Sequence, residues 1–164
     1  MEDIKKKLRK VQDTLVITGT GVCAFGIWGV ISTVMYLIMN KNELADLIEK
    51  NDLQHFIPVF YAILFIAVAA IYAVYLFVGL SARSEGLKKK SRYVYLFFAF
   101  LMLVCGVLII ITEIVSYDSS KRNLFSFLIS VIITSTLLIT LLQMIIASIQ
   151  SKILRKRIKE REGE

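Results

Sequence analysis

Long apolar runs alternate with short polar ones along this chain. Leu15 to Met39 runs for 25 residues without Asp, Glu, Lys, Arg or His, and comparable runs follow from Ile57 to Leu80, Tyr93 to Tyr117 (interrupted by Glu113) and Leu124 to Ser148. A helix needs roughly 20 apolar residues to cross the hydrocarbon of a bilayer, and each run supplies them. The pattern therefore predicts an all-α membrane protein, a four-transmembrane-helix bundle forming one membrane domain over residues 1–164.

The polar segments shape the ends of these spans. Before the first run, Ile4, Leu8, Val11 and Leu15 recur at helical spacing, so a helix is expected to begin in the interface and continue inward. Residues 40–55 form the one sizeable loop on the far side, where Leu44, Leu47 and Ile48 suit a short helix. Pro58, the single proline, falls at the start of the second span, where its missing N–H costs little. Residues 81–92 read as a basic loop, and the tail 151–164 as a basic prolongation of the fourth helix.

Charge fixes the expected orientation. The N-terminal segment, the 81–92 loop and the tail hold five, five and six Lys/Arg, against two in each of the remaining polar segments. Positively charged short segments stay on the cytoplasmic side, so the N- and C-termini are both expected to be cytoplasmic, in a cell (inner or plasma) membrane. The formal charge of +7 arises from these bordering segments, which argues against nucleic acid as a partner. Lys88, Lys89, Lys90, Arg155 and Arg157 are the expected contacts to anionic membrane lipids. Lys5, Lys6, Lys7 and Arg9 share a KKKxR pattern with Lys88, Lys89, Lys90 and Arg92, which would suit two tandem hairpins of common origin. The plainer account is that any span entering from inside begins with basic residues.

Within the spans the chemistry is sparse. Gly19, Cys23, Gly26 and Gly29 on the first, and Ala99 and Gly106 on the third, are small residues near one face, and are expected to let another helix approach closely. Glu113 is the one acid inside an apolar run; its place near the end of the third span suggests an interfacial carboxylate pairing with Lys121 or Arg122. Tyr72, Glu113, Thr134, Thr140 and Gln143 are the candidates for a polar interior or a transport path, although hydroxyls in spans commonly bond their own helix or glue neighbours. On the fourth span the opposite arc, including Leu138, Leu142, Ile145 and Ile149, is expected to face lipid.

Catalytic and metal chemistry lack a signature. The two cysteines stand apart from any CxxC, the single His55 has no clustered acids, and GxSxG, HExxH and phosphate-loop patterns are missing. No catalytic residue, cofactor or metal is assigned, and the chain is not expected to be an enzyme. The expectation is an association subunit, a homo-oligomer or a partner of another membrane protein. The alternatives are a small transporter or pore lined by the fourth span, and an intramembrane lipid-binding protein or enzyme.

Overall fold

The first helix, α1 (Glu2–Met39), starts well before its apolar run. Glu2 and Asp3 occupy its first turn, where the partial positive charge of a helix N-terminus favours acids. The computed structural model places three further helices, α2 (Ile57–Gly86), α3 (Val94–Val115) and α4 (Leu124–Glu162). It describes residues 2–39, 57–87, 94–115 and 124–162. The architecture is all-helical, and all four helices are long and apolar enough to cross a membrane, as suits a membrane protein. The expected short helix in residues 40–55 lies outside the described residues.

Helix lengths differ in an informative way. The 22 residues of α3 reach about 33 Å, close to a bilayer's hydrocarbon, whereas the 38 of α1 and 39 of α4 reach nearly 60 Å. The surplus is the basic start of α1 and the basic end of α4, which run side by side and antiparallel, with Lys10 and Arg157 lining one groove. Packing is tightest between α1 and α2, then between α1 and α4; α3 rests on α4 and, less extensively, on α2. We call the shared end of these contacts the basic end.

The second helix runs past the expected boundary at Leu80 and continues to Gly86, its last turn closed by the Leu87 N–H donating to the Arg83 carbonyl at 3.0 Å. Residues 81–86 are thus helix and not loop. The reason is close packing: a Cβ on Gly79 would lie 2.6 Å from the Gly19 carbonyl oxygen, and one on Gly86 would lie 2.7 Å from the Gln12 carbonyl oxygen. Backbone meets backbone along these turns, which holds them helical. The third helix is bounded at Val94 and Val115, slightly inside the expected limits.

Burial is uneven along the bundle. The core is built from Leu15 and Val22 on α1, Val78 and Ala82 on α2, Tyr95 and Ala99 on α3, and Leu141, Met144 and Ala147 on α4. Every one of these belongs to the half nearer the basic end. Among the described side chains, none in residues 27–39, 57–77, 107–115 or 124–140 is buried.

Two assignments on α4 change. Leu138 turns inward, its Cδ2 lying 2.6 Å from where a Cβ on Gly106 would be, and Ile145 packs against the core, so these two leave the expected lipid-facing arc. Gln143, expected in the interior, is exposed. The inward positions are Leu141, Met144, Ser148 and Ser151, and residue 143 is rotated by roughly 200° from residue 141 at 100° per residue.

Candidate functional site: a buried carboxylate cluster at the basic end

Helical phase carries Glu85 inward. Val78, Ala82 and Glu85 follow one another at spacings of four and three, and they are 0%, 0% and 2% exposed. Because Gly79 and Gly86 bring α2 against α1, the Glu85 side chain points toward α3 and α4. There the first turn of α3 supplies Tyr95, and α4 supplies Ser148 one turn beyond Met144, both 0% exposed.

The three side chains form a closed triangle of oxygens. The Tyr95 hydroxyl donates to Glu85 Oε2 at 2.5 Å, Ser148 Oγ lies 3.1 Å from the same Oε2, and the two hydroxyls are 2.7 Å apart. Each hydroxyl has one proton, so these two protons serve two of the three edges at a time. Two cations flank the triangle. Arg155 Nη2 donates to the Glu85 backbone carbonyl at 2.8 Å, and Lys152 Nζ sits 5.9 Å from the centroid of the Tyr95 ring. The arginine satisfies a carbonyl left over at the helix C-terminus and complements its partial negative charge.

A carboxylate withdrawn from water costs several kcal/mol unless hydrogen bonds and cations compensate. Here the donors come from α3 and α4 and the acceptor from α2, so the compensation exists only when those helices are docked. Ser151 Oγ, one turn from Ser148, is buried without a hydrogen-bond partner among the described residues. Glu85, Tyr95 and Ser148 are all withdrawn from the surface, at 2%, 0% and 0% exposed. The cluster's physical effect is to lock the basic end shut.

The other candidates fall into separate places. Gly19 meets the backbone of Gly79 and Arg83, Cys23 Sγ packs on Gly79, and Gly26 meets the Tyr75 ring, all between α1 and α2. Ala99 is buried, and Gly106 receives Leu138. Gly29 departs from the expected close approach, since among the described residues nothing lies within 4 Å of a Cβ built there. It lines, with Gly26, Thr33, Tyr72 and Tyr75, a cleft of about 130 Å³ between α1 and α2.

Glu113 accepts a hydrogen bond from Ser130 Oγ at 2.6 Å, tying α3 to α4, and its Oε2 is buried with no partner among the described residues. The expected pairing with Lys121 or Arg122 lies outside the described residues. Thr134 and Thr140 donate to their own helix, to the carbonyls of Ser130 at 2.9 Å and Thr136 at 2.8 Å. Arg155 belongs to the Glu85 cluster and Arg157 to a surface groove, while Lys88, Lys89 and Lys90 lie outside the described residues.

Glu85 is the residue that reading by segments passes over, because it sits among the cations of an apparent loop. The available signal is phase: the face that contains Val78 and Ala82 reaches Glu85 if the helix does not stop at Leu80. Among the described residues no group of three His, Cys, Asp or Glu is placed to hold a metal ion. No family model, curated protein or solved structure matches this chain.

Proposed function

We propose that this is a multipass protein of the cell (inner or plasma) membrane, with both termini cytoplasmic, that works as an association subunit. It forms a homo-oligomer or seats another membrane protein. The observation that carries this reading is the uneven burial. The basic half closes on itself through its glycines and the Glu85 cluster, while the other half buries none of its described side chains.

Helices associate in lipid by close packing at small residues and by hydrogen bonds between them. Gly29 and Thr33, one turn apart along the α1/α2 cleft, offer an open small-residue flank with a half-buried Tyr72 beside it. Among the described residues nothing stands within 4 Å of a Cβ at Gly29, so a helix from a second chain can approach there.

The test is the mass of the purified full chain in lipid nanodiscs, with any co-purifying partner counted. Gly29→Leu is expected to remove the partner or second copy while leaving the chain folded. A monomer without partners, or a complex indifferent to Gly29→Leu, would sink the association reading. Orientation is read by cysteines introduced at Lys6 and Lys159, which are expected to be shielded from an impermeant thiol reagent in intact cells.

A transporter is the second reading, favoured by the unpartnered Glu113 Oε2 near the α3/α4 seam. An intramembrane carboxylate is a common element of proton or cation coupling. Ion flux into liposomes that disappears with Glu113→Gln would establish it in place of association.

A further inference from the structure

Past the apolar part of the bundle, the beginning of α1 and the end of α4 continue side by side, and a groove of about 480 Å³ runs between them. That size lies within the roughly 300–1,000 Å³ usual for sites that take a small molecule. Its lining is divided by chemistry. Lys7, Lys10 and Arg157 supply three cations, while Val11, Ile153 and Leu154 supply apolar surface. Among the described residues none of the three cations is paired with a carboxylate; the recorded pair nearby joins Lys156 to Glu160 at 3.8 Å.

Depth narrows the occupant. Lys10 precedes Leu15, the first residue of the ion-free run, by five positions, and Arg157 follows Ser151, the last such residue of α4, by six. At 1.5 Å per residue they stand about 7–9 Å beyond the hydrocarbon edge. The headgroup layer adds roughly 5–8 Å on each side of a bilayer, so Lys10 and Arg157 stand at its outer edge, from which their long side chains reach back to lipid phosphates, with Lys7 nearly one turn farther out. The apolar wall begins at the same level, and on the hydrocarbon side Gly21, which leaves Thr140 Cγ2 3.5 Å from a built Cβ, keeps the α1/α4 seam shallow.

We infer that this groove binds the headgroup of one anionic phospholipid, its phosphodiester held by Lys10, Lys7 and Arg157 and its glycerol end against Val11 and Ile153. A zwitterionic headgroup would bring its own ammonium among three cations, so the groove selects lipids that carry net negative charge. The Gln150 amide at the hydrocarbon side of the groove offers a neutral donor to ester or glycerol oxygens. A second groove of about 370 Å³, beside Lys5, Arg9 and Arg155, is less suited because Arg155 is engaged by the Glu85 carbonyl. The site rests on the membrane placement proposed above and is independent of association.

The experiment reconstitutes the full chain with equal phosphatidylglycerol and phosphatidylcholine, then counts retained lipids by native mass spectrometry. Wild type is expected to hold one phosphatidylglycerol per chain in preference to phosphatidylcholine. The pair Lys10→Gln with Arg157→Gln should lower retention about tenfold or more, as expected for two cations at a lipid surface. The charge-matched pair Lys6→Gln with Lys159→Gln, outside the groove, should change it less than about twofold. Ile153→Trp keeps every charge but fills the groove, and is also expected to expel the lipid.

Equal losses from the two charge pairs would reduce the effect to general surface attraction and overturn the site. So would equal retention of phosphatidylcholine, or displacement by millimolar glycerol phosphate, which would mark a site for soluble phosphates. Recovery of the chain in the soluble fraction without detergent would overturn the membrane placement itself, a different result from any of these.

Discussion

Removing one oxygen atom from Tyr95 tests whether the Glu85 cluster locks the bundle. Tyr95→Phe keeps the ring that fills the space between α2 and α4 but deletes the donor 2.5 Å from Glu85 Oε2. A hydrogen bond to a charged group contributes about 1.5–3 kcal/mol, and Ser148 at 3.1 Å is left as the remaining hydroxyl. For a chain of this size, each kcal/mol moves the unfolding midpoint by about 2–4 °C, so a fall of about 3–12 °C in Tm is expected. Emission from Trp28, the single tryptophan, reports unfolding in detergent.

The half-buried Tyr72 lies outside the cluster, so Tyr72→Phe should shift Tm by much less. Adding Glu85→Met to Tyr95→Phe should recover part of the loss, because an apolar residue no longer needs the donor that was deleted. A Tm for Tyr95→Phe within about 1 °C of wild type, or a double variant worse than the sum of its parts, would refute the reasoning.

Two further outcomes follow from helix packing. Gly19→Ala places a Cβ 2.6 Å from the Gly79 carbonyl oxygen and 2.9 Å from the Arg83 nitrogen, both backbone atoms, and should cost about 1–3 kcal/mol in thermal unfolding, whereas Gly29→Ala has open space and should gain about 0.5–1 kcal/mol. Leu138→Ala empties the contact on Gly106 and should destabilise by about 2–5 kcal/mol, while Ile139→Ala, at a residue 58% exposed, should cost far less; equal effects at the two positions would return Leu138 to the outer surface.

The four helices were legible because apolar runs longer than a bilayer is thick leave few alternatives to a helix. Sequence reading had more difficulty where a segment's composition and its phase disagree. Ser81 to Gly86 has the small and charged residues of a loop, yet its 82 and 86 positions continue the face that packs on α1 at Gly79. Glu85 therefore falls in the segment that composition reads as a basic loop, although its helical position places it inside. On α4 the hydroxyl-rich arc suggested an interior, but Thr134 and Thr140 spend their protons on their own helix, and Leu138 takes an inward place because Gly106 opposite has no side chain. Self-satisfied threonines carry little information about direction.

The Glu85 lock also sets an order of events during synthesis. Its acceptor and first donor are ten residues apart, but Ser148 follows Tyr95 by 53 residues. At about 5–20 residues per second, the ribosome needs roughly 3–10 s to deliver the second hydroxyl, and slightly longer for Arg155. Until α4 is made, Glu85 has only Tyr95 of its two hydroxyl partners. Arrival of α4 adds Ser148 and Arg155 and completes the cluster. A chain cut short before Ser148 would lack the second hydroxyl and the Arg155 contact, leaving Glu85 without the part of its compensation that α4 supplies.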